Sequence, residues 1–182
     1  MKKREELEKI IIKKAKSEDI GGIRIVWYET WLDTYPSKEL GITREDIEER
    51  FSDYFTEESL ERGGQDIRNI PENHIFLVAK IDEEVIGFCR IVSSDEENRL
   101  RALYVLPDMQ KKGVGKKLWN EVLKTLDKTK PTYVNLADYN VGARIFYEKS
   151  GFKDTGKRTT NPKLRMKSGA IIPEMEMMLD LE

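Results

Sequence analysis

LYVLPDMQKKGVGKKLW, residues 103–119, passes from a strand that ends at Leu106 into a helix that begins near Val114, with glycines at 113 and 115 in the connection. The first N–H groups of a helix have no partner inside it, and the helix dipole adds positive potential there. Small residues that let a ligand approach therefore make such a turn an anion site. No Ser, Thr or Asp precedes this helix to cap it, so its amides are open to a ligand, and Gln110, Lys111, Lys112 and Lys116 add donors and charge. Two familiar phosphate loops do not fit: the string lacks GxxxxGK[ST], and GxGxxG would need glycine where Leu118 stands. Taken alone, the turn also reads as an ordinary strand-to-helix connection.

The flanking sequence supplies the architecture. Upstream, HIFLVAKI (74–81), VIGFCRIV (85–92) and RLRALYVL (99–106) are three strands joined by short polar turns, an antiparallel meander. Downstream, Val114, Leu118, Val122 and Leu126 fall four apart with Leu123 beside them, while Lys116, Lys117, Lys124 and Lys128 face outward; this predicts a helix to about Lys128, ending before Pro131. TYVNLAD (132–138) is a fifth strand, and a helix from about Asn140 to Lys149 stops at Gly151. Two extended segments follow, near Phe152 to Thr159 and Glu174 to Leu181. Before the meander, a charged tail (1–9) leads to a short strand over Ile10 to Ala15. Ser17, Glu18 and Asp19 open a helix to about Tyr35, limited by Pro36. Thr43 with Asp46 caps a second helix carrying Ile47, Phe51, Tyr54 and Phe55, and Gly63-Gly64 is expected to end that region. The order is mixed α and β, with no internal repeat and no long linker, so residues 1–182 are expected to form one domain.

Composition removes several classes of function. Thirty-two basic against thirty-four acidic side chains give a net charge of -2, without the global basic field that drives nonspecific nucleic-acid binding, so no nucleic-acid partner is expected. One cysteine, Cys89, and one histidine, His74, cannot assemble the usual zinc ligand sets, and no metal is expected. Both read as packing residues. No apolar run approaches the roughly 20 residues of a membrane span, and the three isoleucines at 10–12 are too short for a secretory core. No membrane partner and a cytoplasmic location are the expectations.

A second motif, NVGARIFYEKSGF (140–152), stands about one strand beyond the first. With QKKGVG it resembles the GNAT superfamily, the GCN-related N-acetyltransferases. Their signature is a Q/R-x-x-G-x-G/A loop after a strand ending in V-x-P, then N-x-x-A-x-x-x-Y-x-x-x-G-F. Val105, Pro107, Gln110, Gly113, Gly115, Asn140, Ala143, Tyr147, Gly151 and Phe152 each occupy their places. The resemblance is weakest over 36–73 and 159–173. It implies a mixed, mostly antiparallel sheet flanked by helices, whose parallel fourth and fifth strands splay to admit the pantetheine arm of acetyl-CoA. It also implies direct acetyl transfer to a primary amine in a ternary complex.

On that resemblance the diphosphate meets residues 110 to 116, Val114 included. Backbone groups of Leu103, Tyr104 and Val105 line the pantetheine, and the Val105 N–H faces the thioester oxygen, a contact typically worth about 3 kcal/mol in a transition state. Tyr147 matches the tyrosine that protonates the departing thiolate; its phenol stays protonated at pH 7. The residues alone favour Tyr147 as a packing residue of an amphipathic helix, which the resemblance reverses, and they allow Asn140 to be a helix cap as well as a pantetheine contact. An alkyl ammonium is neutral about once in 2,500 molecules at pH 7, so a base or water relay is expected. The carboxylate that family members often carry on the fourth strand is replaced here by Arg99, Arg101 and Ala102. Asp138 is the nearest alternative, or a solvated turn residue, and the base is left unassigned.

Weaker features concern the acceptor. Trp27, Trp31 and Tyr35, four apart, are either a helix stripe packed on the sheet or a wall of the acceptor pocket. W-x-x-T-Y (31–35) looks like the PaiA-type polyamine acetyltransferases. Glu45, Asp46, Glu48, Glu49, Asp53, Glu57, Glu58 and Glu61 form a solvated acidic face or, if turned to the cleft, an attractor of cationic amines. Lys157, Arg158, Lys163, Arg165 and Lys167 make a basic hairpin that is solvated, touches an anionic acceptor, or meets a neighbouring subunit, which leaves a homodimer open. The expected acceptor is a small polyamine such as spermidine. The alternatives are a protein N-terminal or lysine amine, and a non-catalytic acyl-CoA sensor.

Overall fold

Asp82 and Glu83 both adopt positive φ, 47° and 70°, between Ile81 and Glu84, which face each other as strand partners. Two left-handed residues in a two-residue loop match the right-handed twist of the flanking strands, and this polar pair therefore closes the first hairpin of the meander. The computed structural model describes residues 9–181. Its strands are β1 (Ile11–Lys14), β2 (His74–Ile81), β3 (Glu84–Ser93), β4 (Asn98–Val105), β5 (Thr132–Ala137), β6 (Lys153–Arg165) and β7 (Ile171–Leu179). They form one seven-stranded sheet in the order β1-β2-β3-β4-β5-β7-β6. Every neighbouring pair is antiparallel except β4 and β5, as the mixed fold class requires.

Alternating side chains bury both faces of the sheet. Leu77 and Ala79 of β2 turn to one face with Cys89, Met175 and Met177. There they meet Leu118, Trp119 and Val122 of α4 (Val114–Val122) and Tyr147 of α5 (Val141–Lys149). Val78, between them in sequence, turns to the other face with Phe88, against Ile23 and Val26 of α1 (Ile20–Thr34) and Ile67 of α3 (Glu57–Arg68). On that second face, α2 (Arg44–Arg50) places Ile47 beside Trp31, Leu32 and Phe51, and Met166 of the turn between β6 and β7 closes over them with Ile172 of β7.

Four expectations need correction. The helix opened by Thr43 is capped as expected, its hydroxyl accepting from the Asp46 N–H at 3.1 Å, but it ends at Arg50. Phe51, Tyr54 and Phe55 follow it, and Thr56 caps a separate helix, α3. Gly63-Gly64 does not terminate anything: both are buried inside α3, and a Cβ on Gly63 would lie 2.7 Å from Ile20 Cδ1, so the pair lets two helices approach closely. The crossover helix α4 stops at Val122 rather than Lys128, although Leu126 remains buried beyond it. The last two strands are longer than the sequence pattern indicated and reach into 159–173. The expected tail over residues 1–9 lies, but for Lys9, outside the described residues.

Candidate active site

β4 and β5 pair over three positions only: Asn98 with Thr132, Arg99 with Tyr133 and Leu100 with Val134. At the next residue β4 bulges. Its register against β3 jumps from Leu100 opposite Ile91 to Ala102 opposite Arg90, which leaves Arg101 as the extra residue. A bulge bends and twists its strand. β5 meanwhile stays paired with β7 through Ala137. The two strands part, and a cavity of about 710 Å³ opens between them.

The backbone of β4 presents polar groups to this opening. The Leu106 N–H donates to the Ile86 carbonyl at 3.0 Å, so alternation along the ladder turns the N–H and C=O of Leu103 and Val105 away from β3, toward the gap. The Val105 carbonyl accepts from Thr30 Oγ1 and from Gln110 Nε2, each at 3.2 Å. Close packing brings β3 up behind this edge: a Cβ on Gly87 would stand 2.9 Å from the Tyr104 carbonyl oxygen.

The turn before α4 is held in left-handed conformations, Lys111 at φ 58° and Gly113 at φ 87°, and no side chain caps the helix. For a residue with a Cβ, such as Lys111, this costs on the order of 1 kcal/mol. Gln110, Lys111, Gly113, Gly115 and Lys116 border the cavity. Lys112 and Val114 do not: the Lys112 amine reaches the Met109 sulfur at 3.6 Å, and Val114 is buried in the core. Gly115 lies against Leu103 and Phe146, where a Cβ would stand 3.4 Å from each side chain.

Across the opening, α5 contributes Asn140, Ala143 and Tyr147. The Asn140 side chain accepts from the Ala143 N–H at 3.0 Å, so it caps α5 and borders the cavity at once. Tyr147 is likewise packed in the core and placed at the cavity. It is 6% exposed and sits edge-on to Phe146 and Phe152 at 5.2 and 5.3 Å between ring centres, yet it lines the cavity. Burial, with smaller effects of Cys89 and Tyr104, pushes its phenol well above the ordinary value, so it stays protonated through the physiological range.

Tyr35 and Tyr104 also line the cavity, and burial raises both phenols. Trp27 and Trp31 do not: Trp27 stacks on Tyr104 at 6.2 Å and Trp31 packs on Phe51 at 5.4 Å, so this part of the stripe is a core stripe. Asp138 is also absent from the lining. Its carboxylate pairs with Arg158 Nε at 3.3 Å on the surface. The acidic residues 45–61 border no part of the cavity. Two of them clip the basic hairpin instead: Asp46 accepts from the Ser168 N–H at 3.2 Å and Glu49 pairs with Lys167, while Arg50 donates to the Lys163 carbonyl at 2.7 Å.

Lining residues not singled out from sequence include Thr30 and Thr34 of α1, Asn135 and Leu136 of β5, and Ile145 and Phe146 of α5. Ile145 and Phe146 lie within NVGARIFYEKSGF. Thr34 stood in W-x-x-T-Y, and nothing in the local pattern of Thr30 separates it from other helix residues.

The fold and the cleft agree with comparisons to known proteins. A family model described as the Acetyltransferase (GNAT) domain matches residues 32–168. The chain belongs to this family, the GNAT acetyltransferases, acetyl-CoA-dependent enzymes. In fold it is similar to the PaiA N-acetyltransferase of Thermoplasma acidophilum, solved in complex with coenzyme A. The TM-score is 0.69 and the identity 24%, over 94% of this chain and 98% of that one. It is similar, too, to the ribosomal-protein-S18-alanine N-acetyltransferase of Escherichia coli, with TM-score 0.62 and 17% identity over 95% and 94%. The yncA protein of Salmonella typhimurium, solved with its cofactor acetyl-CoA, matches at TM-score 0.61 and 19% identity over 96% and 95%. Among the described residues no helix is long and apolar enough to cross a membrane, and no cluster of three His, Cys, Asp or Glu side chains could hold a metal.

Proposed function

We propose that the splayed end of β4 and β5 takes acetyl-CoA and that its acetyl group passes directly to a small cationic primary amine, spermidine being the model acceptor. The observation that carries this reading is the end of pairing at Leu100 and Val134, beyond which the Leu103 and Val105 amides face an open cavity bordered by an uncapped helix N-terminus and by Tyr147. Residues 110–116 would hold the diphosphate through the amides at the start of α4, with Gln110, Lys111 and Lys116 beside it. The Val105 N–H would stabilise the oxyanion, and Tyr147 would protonate the leaving sulfur. Its raised pKa supports an acid that never ionises at rest.

The acceptor is the finer part of the proposal. W-x-x-T-Y and the likeness to a PaiA protein favour a small amine over a protein N-terminus or lysine. The acidic stretch 45–61 no longer supports it, because it faces the hairpin or solvent. The cytoplasm is the expected location on sequence grounds. Free thiol released from acetyl-CoA, measured with spermidine, with short peptides and with no acceptor, tests the whole reading. Release with spermidine supports it, release with peptides alone moves the acceptor to proteins, and binding without release would make the chain a sensor.

A further inference from the structure

The Val105 carbonyl has two side-chain donors. Thr30 Oγ1 reaches it from α1 at 3.2 Å and Gln110 Nε2 from the turn before α4 at 3.2 Å, and both residues border the cavity. A carbonyl oxygen has two lone pairs, so this one is fully engaged within the protein. The N–H of the same peptide group, that of Leu106, donates to the Ile86 carbonyl at 3.0 Å. Three elements thus grip a single peptide group at the end of β4. Thr30 is the unexpected member. A helical threonine commonly turns its hydroxyl to the carbonyl one turn back along its own helix. This hydroxyl, on a residue only 6% exposed, instead donates to a strand end 75 residues away. In extended backbone the N–H and C=O of one residue point to the same side, so this carbonyl stands beside the Val105 amide that faces the gap. Left bare, its negative end would oppose negative charge developing on an oxygen placed there. With both lone pairs engaged that opposition is weakened, and the direction of the amide is fixed.

We propose that Thr30 is a positioning residue for acetyl transfer and acts through Val105. The inference rests on the acetyl-transfer reading above, in which the Val105 N–H meets the thioester oxygen. As the amine attacks the thioester carbon, the carbonyl π pair moves to that oxygen, and the Val105 amide is the donor that faces the charge. Thr30 holds this amide in line from behind without touching the cofactor or the acceptor. Gln110 provides the second support from the loop that would hold the diphosphate, so the two ends of the acetyl-CoA site share one strut.

The test pairs Thr30→Val, which removes the donor at nearly constant shape, with Thr30→Ser, which keeps it. Gln110 still serves the Val105 carbonyl in the valine variant, so no buried carbonyl is stranded. With acetyl-CoA and spermidine, or a short peptide if that is the acceptor that reacts, Thr30→Val should lower kcat about tenfold. That is part of the roughly hundredfold lost with a whole oxyanion donor. The acceptor KM and the acetyl-CoA Kd should not change, and Thr30→Ser should keep the wild-type kcat. The infrared stretch of an isotope-labelled acetyl carbonyl reads the same contact without turnover. It should fall in frequency when acetyl-CoA binds the wild-type protein, and fall less in Thr30→Val. A wild-type kcat and stretch in Thr30→Val, or an equal loss in both variants, overturns the role of Thr30 while leaving acetyl transfer standing. Wild-type protein that releases no thiol with any amine, and leaves the stretch where it lies in water, overturns both.

Discussion

The same two strands behave in opposite ways at their two ends. At the paired end, polar groups are consumed by the protein itself. Asn98, fully buried, donates to the Asp127 carbonyl at 2.8 Å and the Lys130 carbonyl at 3.3 Å and accepts from Ser93 Oγ at 2.7 Å, while its own amide donates to Pro131. Arg99 ties Glu97, Asn135 and Glu176 together across three strands. Beyond the bulge at Arg101 the pattern inverts: amides of Leu103 and Val105 and the Tyr147 phenol face a cavity. Saturation at one end anchors the strands so that their divergence at the other is fixed, and the groups left over there are the ones a ligand can use.

The sharpest way to break this contrast is at the open end. Tyr147→Phe should lower kcat by about a hundredfold, the usual size of a general-acid contribution, with the acetyl-CoA affinity little changed; equal turnover would take Tyr147 out of the chemistry. At the paired end, Asn98→Ala strands the Asp127 and Lys130 carbonyls in the interior and should cost about 2 kcal/mol. For a chain of this size that lowers Tm by about 4–8 °C, and a melting curve that does not move would mean that this anchor is dispensable.

Gly113→Asp comes next. It sets a carboxylate beside the amides that start α4, so Kd for acetyl-CoA should rise about tenfold, or 1.4 kcal/mol, while unchanged affinity would count against the loop as a phosphate site. The smallest effect is a pH dependence at Glu176. Burial alone would raise its pKa, but hydrogen bonds and charge from Arg99 and Lys157 outweigh this and hold it below 4.5. A carboxyl lowered on folding stabilises above its unfolded value, and that stability is lost as pH falls from 4.5 through the lowered folded value. Glu176→Gln should therefore flatten the acid side of the stability curve, and an unaltered slope there would deny the clamp.

Local signals made most of this legible. Period-two and period-3.6 patterns placed the meander and the helices α4 and α5, and the spacing of QKKGVG and NVGARIFYEKSGF placed the cavity walls, because each motif is one strand-to-helix corner. What failed was long-range. Gly63-Gly64 looked like a helix end because a glycine pair usually breaks helices, yet here the contact with Ile20 requires it. The acidic and basic segments were read as separate charged surfaces, whereas the fold apposes Glu49 to Lys167 and Asp46 to Ser168. The insertion of β7 between β5 and β6 is another long-range feature, which no local pattern reveals.

Amide hydrogen exchange with and without coenzyme A tests the central claim most directly. The account predicts that the Leu103 and Val105 amides, and those of residues 113–116, gain protection when the ligand binds, while the Asn98 amide, already held by Pro131, does not change. Binding that leaves Leu103 and Val105 exchanging at their free rates would contradict it.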